Sequence, residues 1–168
     1  MNKIELDQEI LQNFGNKLRI RVSGILIKDD ALVLVKHHNL GEKDELWAPP
    51  GGGMNFGENI HQTLIREFKE ETGIDVEIGE LLNVTEFLEH PLHAVELFFW
   101  VSWVNGELTT GTDPELDEKK QIISVVELVP FDVLKKMDNA VLHKILHNVE
   151  NERSLNRLSG KYLPHLKS

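Results

Sequence analysis

Residues 51–74 read GGGMNFGENIHQTLIREFKEETGI, a glycine-rich start that leads into a segment with helical periodicity. Apolar residues recur every four positions along it, at Ile60, Leu64 and Phe68. This spacing places them on one stripe of an α-helix. Glycine commonly follows the last turn of a helix, as Gly73 would here. The segment therefore predicts a loop followed by a helix over about 59–72.

The same helix carries three carboxylates close together. At 100° per residue, Glu67, Glu70 and Glu71 project within an arc of about 100° and repel one another. A solvated acidic face is the ordinary interpretation of such a group. Glu71, however, falls within the apolar stripe, where an unpaired charge is costly. A divalent cation with oxygen ligands would offset both the repulsion and the burial, and Arg66 could orient a carboxylate by a bidentate contact.

The spacing of these residues follows a known pattern. Gly52 is followed by five residues, Glu58, seven residues and then Arg66-Glu67-Phe68-Lys69-Glu70-Glu71-Thr72-Gly73-Ile74. The segment resembles the Nudix box, G-x5-E-x7-R-E-U-x-E-E-x-G-U with U apolar, at every fixed position. The strand pattern before the box and the segments after it are also similar to the family, so the resemblance covers most of the chain. One neighbouring position differs, because Asn55 stands where many relatives carry glutamate.

The resemblance implies both a fold and a site. The family folds as an α/β/α sandwich around a mixed β-sheet, in which the box forms a loop, a helix and a second loop. Its members hydrolyse a nucleoside diphosphate linked to another moiety, with Mg²⁺ or sometimes Mn²⁺. Carried over by position, Glu67, Glu70 and Glu71 become the metal ligands, with the Gly51 carbonyl as a further ligand and Arg66 fixing the glutamates. One of the three glutamates, or one from a later loop, would be the general base toward the attacking water.

The remaining box positions have structural interpretations. Glu58 begins the helix, where backbone N–H groups favour a negative charge, so its role is either wholly structural or part of the site. Gly52 and Gly73 are interpreted as residues that serve the backbone conformation and do not contact the ligand. Bound cations would hold the bridging oxygens, lower the pKa of a water and offset charge as the P–O bond breaks.

Composition and charge limit the function. The chain has 168 residues, 40% hydrophobic and 27% charged, which suits a single globular domain over 1–168. The lack of cysteine excludes a disulfide framework, a thiolate zinc site and a cysteine nucleophile. No signal peptide or membrane span is apparent, so no membrane partner and a cytoplasmic location are expected. A net charge of −10 without a dense Lys/Arg cluster argues against a nucleic acid polymer as partner, and a phosphate ligand would need a cation.

Signals outside the box complete the expected architecture. An N-terminal arm over 1–16 contains a short amphipathic helix at 4–14, and a polar C-terminal tail spans 151–168. Residues 28–30 predict a tight hairpin connection, and Asn105-Gly106 is a turn signal between two strands. The predicted strands are 18–27, 31–37, 76–87, 94–104 and, as the final strand, 121–128; further helices are predicted at 131–137 and 140–149.

Four residues outside the box are candidates for substrate contact, each with a plainer alternative. Trp47 could stack on a nucleotide base or pack at a strand end. Lys36 and His38 end a strand near the expected pocket, where they could contact a phosphate or lie in solvent. Arg21 shares a strand face with Arg19 and could line the substrate cleft or be solvated.

Three further signals are weaker. Pro91 lies near the proline that marks ADP-ribose-cleaving relatives. His143 and His147 have the spacing of a metal pair but are expected on a helix surface. Glu115 and Glu118 lie in an acidic loop where relatives often place an extra catalytic glutamate, and neither is preferred.

The function expected is metal-dependent hydrolysis of a small-molecule nucleoside diphosphate derivative, which releases a nucleotide and a phosphorylated partner. The alternative is a regulatory module that binds a nucleotide or sugar phosphate, which the intact carboxylates argue against. Oxidised nucleoside triphosphates, ADP-ribose, sugar nucleotides and dinucleoside polyphosphates are all open as substrates. Pro91 favours a nucleotide sugar or an ADP-ribose-like compound. A homodimer is also open.

Overall fold

A computed structural model describes residues 3–112 and 121–163. Its helices are α1 (Lys3–Phe14), α2 (Ile60–Thr72), α3 (Phe131–Leu134) and α4 (Glu152–Asn156). Its strands are β1 (Lys17–Ile25), β2 (Ile27–Lys28), β3 (Ala31–His38), β4 (Glu45–Ala48), β5 (Gly51–Gly53), β6 (Asp75–Glu89), β7 (Leu92–Asn105), β8 (Ile123–Pro130) and β9 (Lys161–Leu163). Two short 3-10 turns, Asn139–Val141 and Lys144–Leu146, lie between α3 and α4. None of the helices in these ranges is long and apolar enough to cross a membrane.

The strands form two sheets. The larger has the order β5-β1-β7-β6-β9, in which β1 is parallel to β7 and β6 is parallel to β9. In the smaller sheet, β3 pairs antiparallel with β2, β4 and β8. Both pairing directions occur in the larger sheet, because β1 pairs antiparallel with β5 and β6 with β7. The mixed sheet that the resemblance implies is confirmed.

Apolar side chains fill both faces of the sheets. One cluster lies beneath α2 and includes Val22, Val35, Leu64, Phe68 and Phe99. A second lies beneath the segment from α3 to α4 and includes Ile25, Leu34, Phe98, Ile145 and Leu155. Successive side chains of a strand point to opposite faces, so neighbours such as Phe98 and Phe99 belong to different clusters. Helical segments on both faces make the predicted α/β/α sandwich.

The predicted hairpin and box helix are confirmed. Asp29 and Asp30 have φ of 50° and 61° between β2 and β3, the conformation that a two-residue connection requires. Asn59 caps α2, because its Oδ1 accepts the Gln62 N–H at 2.9 Å while Gln62 Oε1 accepts the Asn59 N–H at 3.0 Å. Gly73 ends the helix with a φ of 74°. Local sequence therefore sets both ends of α2.

The prediction of two strands joined at Asn105-Gly106 is wrong. Gly106 turns the chain with a φ of 92°, but residues 107–112 form no strand. The hairpin partner of β7 is β6, and positions 90–91 connect them. The residues after Gly106 instead run along the end of α2, where the Thr109 N–H donates to the Thr72 carbonyl at 2.9 Å. A turn signal predicts a reversal of the chain but not the conformation of the residues beyond the turn.

The helices predicted at 131–137 and 140–149 are also wrong in extent. α3 ends at Leu134, and two 3-10 turns replace the second helix. Asp138 Oδ1 accepts the Ala140 N–H at 2.9 Å, and His143 Nδ1 accepts the Ile145 N–H at 3.3 Å. Side chains that bond nearby backbone N–H groups compete with helical hydrogen bonds. His143 and His147 therefore do not share a helix surface.

The predicted C-terminal tail contains secondary structure. α4 buries Leu155 completely, and β9 adds a strand to the edge of β6, so β8 is not the final strand. Asn83 Nδ2 donates to the carbonyls of Leu158 at 3.0 Å and Lys161 at 2.7 Å. The polar composition of this segment did not predict that it packs against the domain, because the packing depends on one buried leucine and on backbone groups.

Candidate functional site

Glu67 and Glu71 extend from α2 to the edge strand β5. Both are buried in spite of their charge, with 5% and 4% of their surface exposed. The Gly51 N–H donates to Oε2 of Glu71 at 2.9 Å. Leu64 and Phe68 on the same side of the helix are fully buried. The predicted position of Glu71 within the apolar stripe is confirmed.

Gly52 provides the space that Glu67 occupies. A Cβ at position 52 would lie 2.4 Å from Oε1 of Glu67 and 2.5 Å from its carboxyl carbon. Both separations are far shorter than a van der Waals contact. The carboxylate of Glu67 therefore lies against bare backbone, which is the physical reason for glycine at this box position.

Arg66 links the acidic residues of α2 with the loop before it. Its Nη1 donates to Glu67 Oε1 at 2.8 Å and to Glu70 Oε2 at 3.0 Å. Its Nε and Nη2 donate to the two oxygens of Glu58 at 2.9 Å and 3.0 Å, and Nη2 also reaches the Gly53 carbonyl at 3.2 Å. The bonds to Glu58, and next the charge of Glu67, raise the pKa of Arg66 above its already high value. One guanidinium thus holds three carboxylates.

Glu58 lies just before α2 and not within its first turn. Besides Arg66, its carboxylate accepts the Thr63 hydroxyl at 3.0 Å and the Asn55 N–H at 3.2 Å. The bonds from Arg66 are the main cause that lowers the pKa of Glu58 to about 2. Asn55, where many relatives carry glutamate, donates its backbone N–H to Glu58, and both its backbone and its side chain help to lower the pKa of that carboxyl.

The loop after β7 is attached to the end of α2. The Gly111 N–H donates to the Glu71 carbonyl at 2.8 Å, and the Thr112 N–H donates to the Glu70 carbonyl at 3.2 Å. A Cβ at Gly111 would lie 1.8 Å from the Glu70 carbonyl oxygen, so only glycine allows this approach. The predicted candidates Glu115 and Glu118 lie outside the described residues.

The donor atoms beside β5 suit a hard divalent cation. Such cations prefer carboxylate and carbonyl oxygens, which Glu67, Glu70, Glu71 and the β5 backbone carry. Across residues 3–112 and 121–163, no three acidic or histidine side chains are spaced as a ready metal cage. Glu67 and Glu70, which both bond to Arg66 Nη1, are among the side chains that do not form such a group. The chemistry of the set fits a cation, because two carboxylates are buried together and Gly52 keeps the space for one of them.

The predicted contacts Trp47, Lys36 and His38 gather around Glu45. Trp47 is 7% exposed in the core, and its Nε1 donates to Glu45 Oε1 at 2.8 Å, so its ring has little open surface for a base. Lys36 Nζ forms an ion pair with Glu45 at 2.9 Å. His38 lies opposite Glu45 in the β3–β4 register. Beside them, burial and then the charge of Arg21 lower the pKa of His37 to about 4.

A second charged group lies on the face opposite α2. Arg21 Nε is 3.4 Å from Glu96 Oε1. Glu96 Oε2 accepts the Thr85 hydroxyl at 3.1 Å and lies 3.0 Å from His143 Nε2. Burial alone would raise the pKa of Glu96, but His143, Arg21 and Thr85 together lower it to about 2. Glu96 is therefore an ionised carboxylate that is only 8% exposed.

Sequence reasoning named Arg21 as a candidate substrate contact and His143 only for its spacing to His147, and it missed Glu96 and Thr85. One signal for Glu96 was present, because a lone charge in the apolar run 94–101 needs a partner when the strand is buried. The partners themselves come from neighbouring strands and from a turn 47 residues away along the chain. No spacing within the sequence pairs these residues.

Pro91 lies in the turn between β6 and β7, in a pocket that also contains His93 and Lys17. Lys17 begins β1, whereas Arg21, four residues further along the strand, pairs with Gly53 of β5. Four residues of strand span about 13 Å. The structure therefore does not bring Pro91 together with the carboxylates of α2.

Comparison with known proteins identifies relatives of this chain. Residues 17–149 match the model of the NUDIX domain. An ADP-ribose pyrophosphatase of Methanocaldococcus jannaschii is 33% identical over 96 residues, which cover 56% of this chain and 56% of that protein. An 8-oxo-dGTP diphosphatase of Proteus vulgaris is 31% identical over 93 residues, which cover 55% of this chain and 83% of that protein. The chain spans only 56% and 64% of the first curated relatives that it matches.

Solved structures show a similar fold. The MutT NUDIX hydrolase of Burkholderia pseudomallei superposes with a TM-score of 0.63 at 19% identity, over 84% of this chain and 98% of that chain. A NUDIX hydrolase of Nitrosomonas europaea gives a TM-score of 0.62 at 21% identity, over 77% and 84%. At these identities the similarity concerns the fold alone.

Proposed function

The chain belongs to the NUDIX family, and on that premise we propose that it hydrolyses the diphosphate linkage of a nucleoside diphosphate joined to another moiety. The observation that carries the proposal is the pair of buried carboxylates, Glu67 and Glu71, against the glycine backbone of β5. Both are negatively charged oxygen donors, and carboxylate oxygens are the ligands that a hard divalent cation prefers. A diphosphate is also an anion, so one divalent cation would neutralise the protein and the substrate together.

Glu67, Glu70 and Glu71 would hold Mg²⁺ or Mn²⁺, with the Gly51 carbonyl as a further oxygen. A bound cation lowers the pKa of a water and offsets the charge that develops as the P–O bond breaks. Arg66 would set the positions of Glu67 and Glu70 through its shared Nη1. The general base is one of the three glutamates of α2, or Glu115 or Glu118.

The substrate proposed is ADP-ribose or a nucleotide sugar. In support, the relative from M. jannaschii is an ADP-ribose pyrophosphatase. An oxidised nucleoside triphosphate is the rival, because the relative from P. vulgaris is an 8-oxo-dGTP diphosphatase. Of the four predicted contacts outside the box, Arg21 is the cation next to β5, whereas Lys36 is paired with Glu45.

The test is product release from ADP-ribose, a nucleotide sugar and 8-oxo-dGTP, each with Mg²⁺, with Mn²⁺ and with a chelator. We expect turnover of at least one compound that the chelator abolishes. Glu71→Gln should lower kcat/KM by about a hundredfold or more, because one oxygen ligand loses its charge. Glu77→Gln, an exposed carboxylate on β6, is the matched control and should behave like the parent protein.

Two outcomes would contradict the proposal. One is that no compound turns over with either metal while the protein is folded. The other is that Glu71→Gln and the parent protein turn over a compound equally. Nucleotide binding without turnover and without metal dependence would instead favour a regulatory binding module.

A further inference from the structure

We propose that Glu96 is a positioning residue that holds Arg21 as a phosphate-binding fork beside the glycine strand β5. The inference rests on the proposed function, since it supplies a cation of the protein itself for the diphosphate of the substrate. Arg21 would touch the substrate, and Glu96 would act through Arg21. Thr85 and His143 hold Glu96 in place through contacts with its Oε2.

Arg21 lies on β1, between the glycine strand β5 and the strand β7 that carries Glu96. In the register of the larger sheet it pairs with Gly53 of β5 on one side and with Glu96 of β7 on the other. Glu96 holds its Nε at 3.4 Å, and 32% of the Arg21 side chain is exposed. Within residues 3–112 and 121–163, Nη1 and Nη2 of Arg21 form no hydrogen bond. These two nitrogens form the end of the guanidinium that binds a phosphate in bidentate fashion.

Glu96 is held firmly enough to orient this fork. His143 Nδ1 accepts the Ile145 N–H, so its proton is on Nε2, which donates to Glu96 Oε2 at 3.0 Å. The backbone N–H of His143 donates to the Trp47 carbonyl of β4 at 2.8 Å. The support of Glu96 is therefore attached to both sheets, while the Thr85 hydroxyl holds the same oxygen from β6.

Among Arg21, Glu96 and His143, the side chain of Arg21 is the most exposed. The side chains of Glu96 and His143 are 10% and 17% exposed, against 32% for Arg21. A buried ion pair stabilises a fold no better, in general, than well-packed apolar residues of the same volume. Packing alone therefore gives little reason for an ionised Glu96 behind the accessible guanidinium of Arg21. Orientation of that guanidinium toward an anion would be such a reason.

The position of Arg21 matches a diphosphate at the carboxylates. Neighbouring strands lie about 4.8 Å apart, so Arg21 is one strand from β5, whose residues also contact Glu67 and Glu71. All three residues of β5 are glycines, so no side chain of β5 stands between Arg21 and that edge. Arg21 lies on the face of the sheet opposite α2, so a diphosphate that meets both the carboxylates and Arg21 would cross the edge of the sheet at β5, which has no side chain to block it.

The experiment measures binding of α,β-methylene-ADP, a diphosphate that cannot be hydrolysed at its bridge, by calorimetry in Mg²⁺. Arg21→Lys keeps the charge but loses the fork, and we expect affinity to fall about tenfold. Glu96→Gln should weaken binding by a similar factor of about ten, because the guanidinium loses its orientation. Asp75→Asn, which removes a carboxylate from the exposed ion pair with Lys69, should bind like the parent protein.

A double variant separates positioning from a general structural effect. In the Arg21→Gln background, the added Glu96→Gln change should leave affinity almost unchanged, because the residue it orients is gone. On any substrate that turns over, Glu96→Gln should raise KM more than it lowers kcat. Each variant is checked by circular dichroism, and Arg21→Lys, at a part-exposed position, serves if Glu96→Gln does not fold.

Equal affinity of Arg21→Lys and the parent protein would overturn the proposal. So would an effect of Glu96→Gln that is as large without Arg21 as with it. Because binding of the analogue needs no turnover, these results are independent of the test of hydrolysis. A protein that binds the analogue through Arg21 but hydrolyses nothing would contradict the proposed function and not this inference.

Discussion

At the scale of single residues, the role of each charge depends on its neighbours. Glu67 and Glu71 are buried against glycine backbone, whereas Glu58, in the same box, is held by Arg66 outside the helix. Glu96 lies outside the box and is buried as well, with 8% of its surface exposed. Residue type alone does not distinguish these four glutamates, because burial and hydrogen bonds set the free energy of each charge.

Glu96 predicts a loss of stability in acid. The pKa of its carboxyl is lowered from 4.5 to about 2 in the folded protein. The unfolded chain therefore binds this proton more readily, so the stability contributed by Glu96 is fully present above about pH 4.5 and is lost as the pH falls toward 2. Glu96→Gln removes the titrating group, and the free energy of unfolding in urea should decline less steeply over that range.

Glu58 provides the internal comparison for this measurement. The pKa of its carboxyl is also lowered to about 2, so part of the acid-induced decline should persist in Glu96→Gln and diminish further when Glu58→Gln is added. Identical slopes for the parent protein and Glu96→Gln between pH 4.5 and pH 2 would show that Glu96 is not held as an ionised group.

At the scale of elements, the site depends on how α2 meets β5. Gly52 allows Glu67 to lie against the strand, and Gly24 of β1 lies so close to Phe68 that a Cβ there would be 2.5 Å from the ring. The residues after β7 then attach to the other end of the helix through Gly111. Glycines on three segments thus allow one helix to approach closely enough to bury its carboxylates.

The capping of α2 is testable by itself. Asn59→Ala removes the side-chain oxygen that accepts the Gln62 N–H, and we expect the free energy of unfolding to fall by about 1 kcal/mol. Asn59→Asp keeps an accepting oxygen and should retain most of the stability. Urea unfolding measures both variants. Equal midpoints for Asn59→Ala and the parent protein would mean that tertiary contacts alone hold the start of α2.

At the scale of the whole molecule, the segment from α3 to β9 closes the second face of the sheets. It supplies Phe131, Ile145 and Leu155 to the core opposite α2. It also supplies His143, which supports Glu96. The same segment therefore completes the fold and the charged group behind Arg21, although its sequence reads as loosely structured.

Truncation of one leucine should show how much the closing segment contributes. Leu155→Ala leaves a cavity at a fully buried position, so the free energy of unfolding should fall by about 3 kcal/mol in thermal or urea denaturation. Leu158→Ala, at a partly buried neighbour, should cost clearly less. A loss below that of Leu158→Ala would contradict the assigned role of α4 in the core.

The sequence by itself determined the box: a helix over about 59–72, its end at Gly73 and the identity of its carboxylates. These features depend on contacts within four residues along the chain, which spacing predicts directly. Local patterns also predicted the β2–β3 hairpin and most strands, and the resemblance supplied the layered fold.

Only the tertiary structure decided which residues meet across the chain. Arg66 bonds to Glu58, Glu67 and Glu70 together, and Glu96 meets Arg21, Thr85 and His143, because strand register and chain closure bring them within hydrogen-bond distance. The turns that replaced the predicted helix at 140–149 follow from side-chain bonds to the backbone, which compete with helix by small free energies. Packing against the sheets selects between such near-equal alternatives, and the sequence pattern does not contain that packing.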